Sequence, residues 1–243
     1  LNLIQNPVTL IHGDCLDVMK NIPDKSIDLI LTDLPYGVTA CKWDSVIDIE
    51  HMWTQYKRII MDDGNIVLTA TQPFSSHLVM SNPEWFKYEW IWENPQGMNP
   101  LLAKHQPMKN HEQILVFSKK RGRYFPQMEK GDPYKSFMAQ DDATIGEVYG
   151  SGKSQHKENN GIRYPKSIKK FKQDRKGFHP TQKPLELMKY LIKTYTLEQQ
   201  TVLDSTMGSG TTGLACKHLN RKFIGIELDE TYFNTAKERI QNK

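Results

Sequence analysis

Residues 201–227 constrain the fold of this chain more than any other stretch. Thr201–Leu203 is a short apolar strand that runs into Asp204-Ser205-Thr206-Met207-Gly208-Ser209-Gly210-Thr211-Thr212. A helix is expected at once over Thr211–Leu219, followed by a strand, Lys222–Glu227, that ends on an acid. Strand, glycine turn, helix and strand make a βαβ unit of the nucleotide-binding type, which requires a parallel sheet. Gly208 and Gly210 carry no Cβ to hold a ligand away from the backbone. Free N–H groups at the helix start favour a carboxylate or a phosphate. Glu227 lies 23 residues beyond Asp204, where an acid accepts both hydroxyls of a ribose. A tight βα turn accounts for the glycines alone, but the acid at the strand end favours a ligand. The spacing departs from the dinucleotide fingerprint, so the expected ligand has an adenosine-like ribose and needs no pyrophosphate.

The rest of the chain alternates in the same way. Strands are expected at Val8–His12, Ser26–Thr32, Asn65–Ala70, Tyr88–Trp92 and Gln113–Ser118. Helices are expected at Asp14–Asn21, Ile49–Ile60, Gln72–Met80, after Pro184, and at Thr231–Ile240, with a turn at Asp62-Asp63-Gly64. The fold class is therefore α/β, a Rossmann-like, mostly parallel sheet. Residues 119–177 break the pattern. They are rich in Lys, Asn and Gly and read as an irregular insertion, with a mobile part around Gly150–Gly161.

Charge marks the same tract. Lys119 to Lys176 holds 15 Lys and Arg against 7 Asp and Glu, a net +8. The whole chain carries +4, so the remainder carries −4. A basic insert on a slightly acidic body suits a polyanionic partner, although a solvated loop reads the same way on charge alone.

A second unit follows the apolar run Ile27–Leu31: Asp33-Leu34-Pro35-Tyr36-Gly37. Asp33 stands at the carboxyl end of a strand, where open α/β sheets bind ligands. A turn cap and a packed aromatic would account for Asp33 and Tyr36 separately. One chemistry uses all four positions. An exocyclic amine on a base is a poor nucleophile, because its lone pair is conjugated into the ring. Two acceptors, the Asp33 carboxylate and the Leu34 carbonyl held by Pro35, pull its hydrogens out of plane and localise the lone pair. Tyr36 offers a face for an extruded base. Attack on a sulfonium methyl then needs positioning and electrostatic support, and no covalent enzyme intermediate.

These motifs resemble those of the DNA amino-methyltransferases. The catalytic motif of that family is Asp/Asn/Ser-Pro-Pro-Tyr, and one branch has the cofactor motif Asp-Pro-Phe-x-Gly-Ser-Gly-Thr-Thr. His179-Pro180-Thr181-Gln182-Lys183-Pro184 looks like the segment preceding the cofactor motif, and Ile11–Cys15 like a further cofactor-binding segment. The circularly permuted order, catalytic motif first, resembles the beta class. Two departures stand out: Leu34 for the first Pro, and Ser205-Thr206 for Pro-Phe. Leu34 keeps its carbonyl but is expected to loosen or reshape the turn, and Thr206 to weaken packing against the cofactor.

The resemblance implies a catalytic domain of residues 1–118 and 178–243 and a target-recognition insertion at 119–177. It implies S-adenosylmethionine as cofactor and double-stranded DNA as partner, with a homodimer as a further expectation. Asp33, Leu34, Pro35 and Tyr36 are the implied catalytic set. Asp204, Gly208, Gly210, Thr211 and Thr212 would shape the cofactor pocket. Thr211 and Lys183 would meet the methionine carboxylate, Glu227 the ribose and Asp14 the adenine end. Asp14 also suits a helix cap, and Lys183 a surface charge. DNA phosphates would be met by Arg121, Arg123, Arg163, Lys166, Lys169, Lys170 and Lys172, with Tyr164 and Phe171 as stacking or wedging aromatics. The loop Val38–Trp43 is a further DNA candidate.

Asp at the first catalytic position leans to adenine N6, Ser being commoner in the cytosine N4 branch. Cytosine N4, RNA and an inactive DNA-binding relative stay open. Protein glutamine methyltransferases place the cofactor motif first, which argues against them. The three cysteines, Cys15, Cys41 and Cys216, give neither a disulfide framework nor a zinc pattern, and no metal is expected. Leu1–Leu10 has no basic segment, so no signal peptide is expected, and no apolar run is long enough to span a bilayer. A prokaryotic or phage-encoded cytoplasmic protein is the resulting expectation.

Overall fold

The computed structural model describes residues 6–35, 47–98, 100–138, 155–174 and 182–241. The first half runs β1 (Val8–His12), α1 (Cys15–Met19), β2 (Ile27–Asp33), α2 (Ile49–Ile59), β3 (Ile60–Ala70), α3 (Phe74–Ser81), β4 (Phe86–Met98) and β5 (Lys109–Phe117). Short strands follow: β6 (Glu129–Lys130), β7 (Tyr134–Met138), β8 (Gln155–Asn159), β9 (Ile162–Arg163) and β10 (Ile168–Lys170). The chain closes with α4 (Leu185–Tyr195), β11 (Thr201–Asp204), α5 (Thr211–His218), β12 (Lys222–Glu227) and α6 (Glu230–Gln241).

Eight strands form one sheet in the order β1-β12-β11-β2-β3-β5-β4-β10. All neighbours are parallel except β3–β5 and β4–β5, so the sheet is mostly parallel and Rossmann-like. Alternation along the strands sends side chains to opposite faces, and the two faces hold separate cores. On β2, Ile30 joins Met19, Met52, Trp53, Tyr56, Ile59 and Leu78 under α1–α3. Its neighbours Leu29 and Leu31 join Leu187, Leu191, Tyr195, Cys216 and Ile240 under α4–α6. Helices on both faces explain why the central strands read as unbroken apolar runs.

Two expectations need correction. The turn foreseen at Asp62–Gly64 lies inside β3, as an irregularity between the pairs Ile27↔Ile60 and Leu29↔Asn65. Gly64 permits it, since a Cβ there would sit 2.9 Å from the Asp28 carbonyl and from Ile60. Second, β10 falls in the tract foreseen as an insertion, yet it pairs in parallel with β4 on the main sheet. The tract around Gly150–Gly161, expected to include a mobile part, holds strand β8 at Gln155–Asn159, and residues 150–154 lie outside the described ones.

The chain divides into two compact units, Leu1–Phe125 with Ser167–Lys243, and Pro126–Lys166. In the second, β6 pairs with β9 and β7 with β8, both antiparallel. Among the described residues no helix is long and apolar enough to cross a membrane.

Candidate active site

The two sequence motifs finish neighbouring strands. β11 pairs in parallel with β2 through Val202↔Leu29 and Leu203↔Ile30, so Asp204 and Asp33 stand at the same sheet edge. From β11 the chain crosses to β12 on one side, and from β2 to β3 on the other. This is a topological switch point, where strand order reverses and a crevice opens outside the carboxyl ends. Side-chain hydroxyls tie the two turns together. Thr32 Oγ1 donates to Asp204 Oδ1 (2.7 Å), and Thr206 Oγ1 donates to the Asp33 carbonyl (2.9 Å). The Tyr56 hydroxyl meets Ser205 Oγ at 2.6 Å. Ser205 and Thr206, the departures from Pro-Phe, thus join the glycine turn to the end of β2 and to α2.

Asp33 is fixed at both carboxylate oxygens. Oδ1 accepts from Thr69 Oγ1 (2.5 Å) on β3, and Oδ2 accepts from Lys183 Nζ (2.6 Å). Lys183 also lies 3.2 Å from Glu112 Oε2 on β5. Its side chain is 7% exposed, whereas that of Asp33 is 26% exposed. Lys183 was foreseen at a methionine carboxylate; two protein carboxylates hold it here. Leu34 is buried in the α1–α3 core, so in place of Pro it anchors the turn by packing. Pro35 follows, half-buried. Tyr36 and the Val38–Trp43 loop lie outside the described residues.

On the glycine side, Glu227 is the centre of the contacts. Its Oε2 accepts from Gly208 N (2.8 Å) and its Oε1 from Asp229 N (2.9 Å). Burial raises its pKa, against the lowering effect of these backbone bonds. Leu228 adds a third backbone bond, and a carboxylate has about four acceptor directions, so it can still accept a donated hydroxyl such as a ribose presents. Asp14 caps α1, accepting from Leu16 N at 2.7 Å, and Gly13 N donates to the Glu227 carbonyl at 2.9 Å. The Asp14 cap therefore lies beside the strand end that holds Glu227.

Gly210 works differently from the sequence expectation. It sits in the left-handed region (φ 78°), and a Cβ there would come 2.8 Å from Ala236 Cβ and 3.0 Å from Ile240 Cδ1. The space is taken by α6 and not by a ligand. Thr211 and Thr212 are buried at the start of α5, and Thr212 hydrogen-bonds to Asp204. Arg239 of α6 donates to the Ser209 carbonyl (2.5 Å) and hydroxyl (2.7 Å), clamping the turn from above.

Asp204 is fully buried, and burial raises its pKa to about 6 despite bonds from Thr212 and Thr32. A carboxyl whose folded pKa is raised stabilises the fold below its unfolded value and loses that contribution as pH rises through the folded value. About two units correspond to roughly 3 kcal/mol. Stability is therefore expected to fall between about pH 4 and pH 6, with Glu227 acting in the same direction. Asp204→Asn should flatten that slope in urea melts at pH 4.5 and 7; an unchanged slope would remove the assignment. Among the described residues both thiols are buried: burial first, then Asp14, pushes Cys15 up to about 12, and burial also raises Cys216 well above the ordinary thiol value, so neither is a ready nucleophile.

The basic candidates separate. Arg123 pairs with Asp28 (2.5 Å) and Asp63 (2.8 Å) at the opposite end of β2 and is taken up by the fold. Lys169 is buried, its ammonium over the Trp90 and Tyr190 rings at 5.9 and 5.6 Å. Lys170 pairs with Glu93 at 2.8 Å but stays exposed. Arg121 and Lys166 are exposed, and so is Arg163, whose guanidinium covers Tyr134 at 5.3 Å and donates to the Asp132 carbonyl. Phe171 packs against the α4–α6 core near Tyr190, whereas Tyr164 is exposed.

Sequence reading missed Thr32, Thr69, Glu112 and Arg239. Each is remote in sequence from the residue it touches, and no local spacing signals such a contact. The acid in the strand run His111-Glu112-Gln113-Ile114 was the one available hint, a charge entering a buried strand.

Comparisons with known proteins agree with this geometry. Residues 27–238 match the DNA methylase model of the N6/N4 methyltransferases. The chain is 28% identical to Type II methyltransferase M.HpaI of Haemophilus parainfluenzae over 96% of its length and 74% of that protein. It is also 28% identical to M1.MboII of Moraxella bovis, covering 92% of each. The crystal structure of an M1.HpyAVI-SAM complex superposes with a TM-score of 0.68 at 25% identity, over 96% of this chain and 99% of that one. PvuII DNA methyltransferase (cytosine-N4-specific), at 17% identity and a TM-score of 0.66, shares the fold. The chain belongs to the DNA methylase family of N6/N4 amino-methyltransferases.

Proposed function

We propose that this protein transfers a methyl group from S-adenosylmethionine to the N6 amine of adenine at a specific site in double-stranded DNA. The observation that carries the reading is the juxtaposition of Asp33 and the Glu227-centred turn at one switch point, joined by the Thr206 bond to the Asp33 carbonyl. S-adenosylmethionine supplies an electrophilic sulfonium methyl when bound. Glu227 holds its ribose, with Gly208 and Asp204 setting the turn, and Asp14 stands towards the adenine end. Thr211, Thr212 and Gly210 shape the start of α5 from within the fold.

The chemistry at the base falls to the other turn. Asp33 accepts one hydrogen of the target amine, and the Leu34 carbonyl the other, localising the lone pair for in-line attack. Thr69 and Lys183 hold the carboxylate at a set angle while this happens. Tyr36 stacks on the extruded base and Pro35 restricts the turn. Arg121, Arg163, Lys166 and Lys170 are the cations proposed for phosphate, with residues 119–177 as the recognition tract. Asp at the first motif position supports adenine over cytosine.

The test is direct. Plasmid DNA from a methylation-free host is treated with the protein and S-adenosylmethionine, then digested to nucleosides. N6-methyladenine is the expected product. N4-methylcytosine alone would replace adenine by cytosine and leave the reaction class standing.

A further inference from the structure

We infer that Glu112 and Lys183 form a positioning pair that orients Asp33 and keeps it a strong acceptor for the target amine. This rests on the amine-methylation reading above. The juxtaposition is specific: Lys183 Nζ lies 2.6 Å from Asp33 Oδ2 and 3.2 Å from Glu112 Oε2, on a side chain that is 7% exposed. Glu112 Oε2 is within ion-pair distance but outside hydrogen-bond geometry, and it has no hydrogen-bond partner among the described residues. The ammonium therefore gives a directed bond to Asp33, and to Glu112 its charge.

That asymmetry has a chemical consequence. A buried ammonium with Asp33 as its sole counter-charge would draw the electron density of that carboxylate onto itself and weaken it as an acceptor. Glu112 supplies a second negative charge, so the ammonium is balanced without consuming Asp33. Lys109, a further cation of this corner among the described residues, interacts electrostatically with Asp33, Glu112 and Lys183, and its ammonium donates to the Thr71 hydroxyl. Without Glu112 these two ammoniums would outweigh the one carboxylate of Asp33; with it the charges balance, and Asp33 keeps its negative charge for the nitrogen on which positive charge develops. Three elements build the trio: β2 brings Asp33, β5 brings Glu112, and the segment entering α4 brings Lys183.

The experiment compares Glu112→Gln, Lys183→Met, Lys183→Arg and the Glu112→Gln/Lys183→Met double variant with the full chain. Single-turnover methyl transfer to methylation-free plasmid DNA is measured across pH 6–9, alongside calorimetric binding of S-adenosylhomocysteine. Lys183→Met is expected to slow transfer roughly a hundredfold and Glu112→Gln roughly tenfold, with the double variant no slower than Lys183→Met. Cofactor affinity should stay within about threefold throughout, and Lys183→Arg should recover part of the rate, which loss of folding would not allow. Additive losses would overturn the inference. So would a Lys183→Met variant that binds the cofactor weakly and turns over normally once saturated, since Lys183 would then serve the cofactor. Asp33→Ala in parallel separates the levels: an active Asp33→Ala protein removes the underlying reading, while an inactive one beside an active Lys183→Met removes this inference alone.

Discussion

Asp33→Ala is expected to reduce methyl transfer roughly a thousandfold, the usual scale for removing a preorganised electrostatic contact at the reacting atom. Cofactor affinity is expected to stay within about threefold of the parent. The reason lies in how the two turns are built. Glu227 takes its fixing bonds from Gly208 and Asp229, none of them through the Asp33 side chain. The Thr206 bond that links the turns ends on the Asp33 carbonyl, which alanine retains. Lys183 is not orphaned either, because Glu112 remains at 3.2 Å. Asp33→Asn sharpens the result. It keeps the shape and can keep the Thr69 bond, yet it turns an amide donor towards an amine or an ammonium. Its amide oxygen still accepts, as the Asn form of the family motif does, so it should retain more activity than the alanine variant while losing the ion pair with Lys183. Radiolabelled transfer and calorimetry on the same preparations check both halves; full activity in the alanine variant would remove Asp33 from the chemistry.

Gly210→Ala carries the largest expected loss of stability. The residue sits at φ 78°, a conformation that costs an L-residue about 1–2 kcal/mol. The added methyl would also lie 2.8 Å from Ala236 Cβ and 3.0 Å from Ile240 Cδ1, and overpacking of this kind costs about 1–3 kcal/mol. Together these predict a fall in Tm of roughly 5–15 °C for a chain of this size. Adding Ala236→Gly separates the causes. It relieves the closest clash while leaving the dihedral strain, so the double variant should recover part of the contact cost, net of a helix glycine penalty of about 1 kcal/mol. A Tm within 2 °C of the parent for Gly210→Ala would mean that α6 does not pack on the turn as described.

This second result also changes what the glycine turn means. Glycines at such positions suggest close approach by a ligand. Gly208 does give its N–H to the acid that fits the ribose, but the missing Cβ of Gly210 serves the packing of α6. Arg239, from the same helix, bonds to Ser209 one residue earlier. The last helix therefore supports the glycine turn, through Arg239 on Ser209 and through Ala236 and Ile240 against Gly210.

Most of the architecture was legible because its signals are local. Apolar runs bounded by Gly, Pro and Asp marked β2 and β11, helical spacing of Leu185, Met188, Leu191 and Ile192 marked α4, and the motif order placed both turns on strand ends. The choice of Asp33 and Glu227 as acids at strand ends needed only the period of the chain. Contacts between distant segments were not legible. Lys183 and Asp33 are 150 residues apart, and Thr206 and Asp33 are 173 apart. Charge counts also misled: Arg123 and Lys169 read as solvent-facing cations, but one is held by Asp28 and Asp63 and the other lies over two aromatic rings. A side chain's sign is written in the sequence, while its partner depends on which elements the sheet brings alongside. By itself the sequence determined a βαβ frame, two turns and the chemistry each can perform, because strand period, glycine and a terminal acid act within a few residues. Only the tertiary structure decided that β11 and β2 are neighbours at a switch point, that Lys183 faces Asp33 and Glu112, and that α6 fills the space above Gly210, because those depend on pairing and packing between segments far apart in the chain.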